Sequence, residues 1–161
     1  MLGGAQLVNE CSEYTRKHGK LSTGKVFVSS GGSLPCKVVI HTVGPMWKDG
    51  CSNEDRYLKI AVKAAVEEAD SRYRSVSLPA VSCGRYGFPP ERGAKVILSV
   101  LGELLARSSG CLTQVNIVSG KDNIDSFHEQ LMTIYGASKV KRRQQDNGKS
   151  MFVQGISQRQ C

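Results

Sequence analysis

The sequence has no long apolar run: its apolar stretches fall far short of the roughly 20 residues a helix needs to cross a bilayer, so no membrane-spanning helix is expected. It has no Cys-x-x-Cys pair. Cys11, Cys36, Cys51, Cys83, Cys111 and Cys161 are scattered, and none of the three histidines stands at zinc-like spacing from two of them, which excludes the common structural zinc frameworks. Neither Gly-x-Gly-x-x-Gly nor a Gly-Lys-Ser/Thr loop occurs, so the dinucleotide fingerprint and the P-loop both fail at the motif level. Met1-Leu2-Gly3-Gly4 is neither basic nor apolar; no secretory leader is expected there, and reduced thiols in the cytoplasm or nucleus are the expectation. Acidic residues are few, 14 against 22 Lys and Arg. The imbalance is local, because Lys139, Lys141, Arg142, Arg143, Lys149 and Arg159 face only Asp146 between 137 and 161. The rest of the chain is mildly basic, and charge alone does not make it a nucleic-acid binder.

What is present centres on residues 82–90, Ser-Cys-Gly-Arg-Tyr-Gly-Phe-Pro-Pro. An apolar strand-like run, 75–81, precedes it, and a helical pattern with Ala94, Ile97, Leu98, Leu101 and Leu105 on one face follows over 91–107. A strand, a glycine-bearing loop and a helix N-terminus in that order suit an anion. Glycines let the backbone come close, successive N–H groups form a nest, and the helix dipole adds attraction. Pro90 fits the first helical turn, where a missing N–H costs nothing.

The periodicities predict helix over 5–18, strands over 25–30 and 37–43, helix from Glu54 to Tyr73 and strand over 113–119. A last helix carries Ile124, Phe127, Leu131 and Ile134, with Asp122 or Asn123 as its cap. Ser52 and Asp55 have capping-box spacing, and Trp47 with 48–53 reads as a surface loop. The β-branched 37–43 run, His41 within it, reads as a buried strand with a hydrogen-bonded histidine. Strands alternating with helices imply an α/β fold with a mixed, largely parallel sheet whose ligands sit at the strands' carboxyl ends. Residues 137–161 hold isolated apolar residues in a polar, basic setting and read as a flexible tail; Lys139 to Arg143 form either a solvated basic stretch or a nucleic-acid or nuclear-import patch.

Three stretches together resemble the macrodomain family, which binds ADP-ribose free or on proteins. They are 24–37 leading into 39–47, Leu78 to Pro89, and 115–127. Cys11 to Gly19 is similar to a helix end of macrodomains attached to PARP-like ADP-ribosyltransferases. The resemblance implies a three-layer α/β/α macrodomain fold over 1–136, truncated at its N-terminus, with 137–161 as a tail. It implies ADP-ribose as ligand, with no further cofactor, and mono-ADP-ribosylated proteins as partners. Ser82, Cys83, Gly84, Arg85, Tyr86, Gly87 and Phe88 would hold the diphosphate and distal ribose, with Phe88 packing beneath the loop. Ser119, Gly120 and Lys121 would edge the adenine or proximal ribose. The family's strand-end Asn and first-loop Asp, which serve hydrolysis in some members, have no counterpart here, so binding without catalysis is expected. An ADP-ribosyl hydrolase or its inactive remnant is the alternative, and a nucleic-acid-binding module aided by the basic tail is the third reading. Cys83 reads either as a small buried thiol or as a thiol whose pKa falls beside the nest.

Overall fold

The structure, a computed structural model, describes residues 2–106, 110–135, 140–144 and 151–156. The chain runs α1 (Gly4–His18), β1 (Val26–Ser30), β2 (Val38–Thr42), α2 (Glu54–Asp70), β3 (Ser75–Pro79), α3 (Pro90–Leu105), β4 (Gln114–Ser119), α4 (Lys121–Tyr135), β5 (Val140–Gln144) and β6 (Met151–Ile156). Up to β4 the elements follow the predicted periodicities, except that α2 stops at Asp70, before the expected Tyr73. There a tighter turn, with the Arg72 N–H donating to the Ala69 carbonyl (3.2 Å), sends the chain into β3.

Two sheets form among the described residues. β1 and β2 pair antiparallel, with Phe27 opposite His41 and Val28 opposite Ile40. The second sheet has the order β3-β4-β6-β5. Its one parallel pair is β3–β4, joined through α3, since parallel neighbours need a crossover. The other pairings are antiparallel, so the expected parallel character is confined to β3–β4.

β5 and β6 correct the flexible-tail expectation for their residues. β6 pairs along the whole of β4, Gln114 opposite Ile156 through Ser119 opposite Met151, and β5 pairs with β6. The physical reason is the edge of β4, whose main-chain groups otherwise go unpaired: a segment too polar to build its own core still satisfies a neighbour's ladder. Lys139 lies outside the described residues.

The core is built on α3. Ala94, Ile97, Leu98, Val100, Leu101 and Leu104 are buried against Leu58, Val62 and Val66 of α2, Leu78 of β3, Val115 and Ile117 of β4, and Ile124, Phe127 and Leu131 of α4. Each large side chain so buried contributes about 1.5–3 kcal/mol of transfer free energy. α1 buries none of its residues fully and is held by polar and aromatic contacts instead. Its Glu10 carboxylate accepts the Ser30 N–H (2.7 Å) and hydroxyl (2.6 Å), and Tyr14 stacks on Phe27 with centroids 4.2 Å apart. β2 is half-buried along its length rather than buried, yet His41 does have its hydrogen bond, Nε2 to Ser29 Oγ at 2.8 Å. Thr42, on the opposite face of β2, donates to the Ala61 carbonyl of α2 (3.4 Å). The β1–β2 sheet thus lies between α1 and α2.

Candidate functional site

β3 and β4 run parallel with Pro79 opposite Val118, so the segments that follow them, 80–89 and 119–121, emerge at the same edge of the sheet. The first is a closed loop. Val81 and Cys83 N–H groups donate back to Pro79 and Ala80 carbonyls (2.8 and 3.0 Å), Gly87 N–H donates to Gly84 carbonyl (2.9 Å), and Phe88 N–H donates to Ser82 carbonyl (3.0 Å). The expected donors of 82–88 therefore divide. Those of Cys83, Gly87 and Phe88 are used within the loop. Those of Ser82, Gly84, Arg85 and Tyr86 have no protein acceptor among the described residues. Gly84 and Gly87 are the ends of a β-turn whose two central N–H groups, Arg85 and Tyr86, point away from the turn's own bond.

The side chains sort the same way. Gly84, Arg85 and Gly87 are exposed, and Tyr86 is 37% exposed. A side chain added at Gly84 or Gly87 would meet nothing within 4 Å, so the loop's outer side is open. Gly87 has φ +68°, a conformation a side chain strains. Phe88 is 1% exposed and packs beneath the loop, as expected, edge-on to Trp47 with centroids 4.9 Å apart. Cys83 is buried, its thiol donates to the Val81 carbonyl (3.5 Å), and burial pushes its pKa up to about 11. That is the inert buried thiol of the two readings. Ser82 has φ +67°, and its Oγ is buried without a protein partner among the described residues. It lies against Gly44, where any Cβ would collide with it. The loop after β2 and the loop after β3 are in contact there.

Ser119 is half-buried at the end of β4, and Gly120 is exposed. The Gly120 carbonyl takes the N–H groups of Asn123 and Ile124 (3.2 and 3.1 Å), so α4 starts at Lys121. Asp122 and Asn123 consequently lie inside its first turn and are not the cap.

Sequence reasoning missed the support of the loop. Trp47 is half-buried, not a surface residue, and its N–H donates to the Tyr86 carbonyl (2.8 Å). The Ser52–Asp55 capping box does not form: the cap position is Asn53, in the left-handed region, with no side-chain cap bond. Glu54 acts instead. It is 3% exposed, and its Oε1 accepts the N–H groups of Lys48, Asp49 and Gly50 at 3.1–3.2 Å. Burial opposes its ionisation. The main-chain N–H groups of Glu54, Gly50, Asp49 and Lys48 together overcome this and bring its pKa from 4.5 to about 2. Asp55 holds Arg92 of α3 by two bonds, Nε to Oδ1 at 2.8 Å and Nη2 to Oδ2 at 2.9 Å. Arg92 in turn covers the Trp47 ring at 5.1 Å. An acidic residue four positions after Gly50, in a loop rich in free N–H groups, was the available signal.

The fold and loop are those of an α/β protein with a glycine-bearing turn at the carboxyl ends of parallel strands. Residues 2–97 match the macro domain family, and the chain belongs to that family. It is 32% identical over 134 residues to an O-acetyl-ADP-ribose deacetylase of Escherichia fergusonii, covering 83% of this chain and 75% of that protein. It is 38% identical over 117 residues to O-acetyl-ADP-ribose deacetylase 1 of Pantoea vagans, covering 72% and 68%. Among solved structures it superposes on the Oceanobacillus iheyensis macrodomain with ADP at a TM-score of 0.75 and 28% identity, covering 83% of this chain and 72% of that one. No helix among the described residues is long and apolar enough to cross a membrane.

Proposed function

We propose that this chain binds ADP-ribose, free or carried on a protein, with the diphosphate held by the 82–88 loop. The observation that carries the reading is the run of three successive main-chain donors, Gly84, Arg85 and Tyr86, without protein acceptors on an open glycine turn. Such a run suits an anion, and a half-exposed tyrosine beside it offers a face to a sugar. Ser119 and Gly120 follow β4 at the same sheet edge, which supports assigning the nucleoside end of the ligand to them in this reading. The solved relative with ADP supports a nucleotide diphosphate as the ligand class. Calorimetry with ADP-ribose tests this: saturable binding to the intact chain is expected, and Gly87→Glu abolishes it by placing an anion on the turn.

A second reading, hydrolysis of an ADP-ribose ester, is favoured by the names of the relatives, which are O-acetyl-ADP-ribose deacetylases. Within the 82–88 loop the Cys83 thiol is buried and its pKa is pushed up to about 11, which makes it a poor nucleophile at neutral pH. Incubation with O-acetyl-ADP-ribose and with a mono-ADP-ribosylated protein separates the two readings. Intact ligand after prolonged incubation supports binding alone; released acetate or ADP-ribose supports hydrolysis. A link to transferases rests on the Cys11 to Gly19 helix end alone.

A further inference from the structure

The turn that carries the free donors is fixed from outside as well as from within. The peptide between Tyr86 and Gly87 is held at both ends: its carbonyl accepts the Trp47 N–H (2.8 Å), and its N–H donates to the Gly84 carbonyl (2.9 Å). Fixing that peptide, together with the bond that closes the turn, restrains the two peptides between Gly84 and Tyr86, which carry the Arg85 and Tyr86 N–H groups. Trp47 is held in turn by the segment after it. Glu54 gathers the N–H groups of Lys48, Asp49 and Gly50 on one buried oxygen. Gly50 takes φ +81°, and a Cβ there would approach the Trp47 ring to 2.8 Å. Arg92, pinned by Asp55, lies over that ring and reaches the Gly50 carbonyl (3.3 Å).

We propose that Glu54 is a positioning residue for ligand binding: by locking residues 48–50 it fixes Trp47, and through Trp47 the orientation of the 84–87 turn. Glu54 makes its hydrogen bonds to residues 48–50 and none to the turn; it acts through the Trp47 N–H and the Trp47–Phe88 contact. The inference rests on the reading of 82–88 as the anion-binding loop. A purely structural role would lower the melting temperature without singling out this turn.

The test compares Glu54→Ala and Glu54→Gln with Leu131→Ala, a buried α4 residue away from the turn. Each is read by ADP-ribose calorimetry, melting temperature, amide hydrogen exchange over 82–88 and emission of Trp47, the chain's only tryptophan. Glu54→Ala is expected to weaken ADP-ribose binding about tenfold, to speed exchange of the hydrogen-bonded Gly87 and Phe88 amides and to shift Trp47 emission to the red. Glu54→Gln, which keeps an acceptor for the three N–H groups, recovers part of each. Leu131→Ala loses melting temperature but keeps wild-type affinity and wild-type exchange of the Gly87 and Phe88 amides. Should Glu54→Ala not fold, Glu54→Gln against Leu131→Ala decides alone. Glu54 variants that bind within about twofold of wild type, or a Leu131→Ala loss as large as theirs, overturn the proposal. A wild-type chain that does not bind ADP-ribose contradicts the functional reading instead. Hydrogen exchange then decides this inference: faster exchange of the Gly87 and Phe88 amides in the Glu54 variants alone upholds it, and unchanged exchange overturns it.

Discussion

Residues 48–50 and residues 84–86 each offer three successive main-chain N–H groups, yet they are answered differently. The first set converges on the Glu54 carboxylate, a buried anion supplied by the chain itself. The second set has no protein acceptor among the described residues and lies on an exposed turn. The first is tight: a Cβ at Gly50 would press on Trp47 and Arg92. The second has room: a Cβ at Gly84 would meet nothing within 4 Å. The same backbone chemistry serves stability where the anion is internal and, in the function proposed above, recognition where it is external. The two are joined by one hydrogen bond, Trp47 to Tyr86, and one aromatic contact, Trp47 to Phe88.

The comparison is broken most severely at the joint. Phe88→Ala removes a side chain that is 1% exposed beneath the open turn and against the filled one. A loss of about 3–5 kcal/mol is expected in urea unfolding. The next largest effect sharpens the contrast. Gly50→Ala is expected to cost about 1–3 kcal/mol, from a positive φ and the ring contact, whereas Gly84→Ala stays within about 0.5 kcal/mol of wild type.

Acidification gives a third contrast. The Glu54 pKa falls on folding from 4.5 to about 2, so its contribution is complete above 4.5 and is lost as pH drops toward 2. Thermal melts over that window should show a slope that Glu54→Gln reduces. Glu10, Glu13 and Glu103, also lowered, leave a remainder. The smallest expected effect is at His41. Burial lowers its pKa from 6.5, so its contribution is present above 6.5 and is lost as pH falls through the lower folded value. His41→Gln should flatten stability between pH 6.5 and the onset of carboxylate titration.

The four helices were legible because Leu58, Val62 and Val66, or Ala94, Ile97, Leu98 and Leu101, repeat at helical spacing and are buried as that spacing demands, although Leu105, expected on the same face, is half-buried and Leu104 is buried instead. The 82–88 loop was legible because strand, glycines, prolines and helix follow in order. β5 and β6 were not, since Met151, Phe152, Val153 and Ile156 make no local pattern and the strand exists by pairing with β4, a partner more than 30 residues away. Which loop donors are free was also hidden, because Cys83, Gly87 and Phe88 spend theirs on carbonyls that only the closed turn brings near. Glu54 was masked by the capping-box spacing of Ser52 and Asp55, and its real partners precede the helix rather than begin it.

Calorimetric titration of wild type and Gly84→Glu with ADP-ribose tests the central claim most directly. Gly84 lies outside the positive-φ region and has open space around it, so the variant keeps the wild-type fold while setting a carboxylate beside the free donors. Saturable binding by wild type and none by Gly84→Glu, at matched melting temperatures, is the predicted result. Equal binding by the two proteins would contradict it.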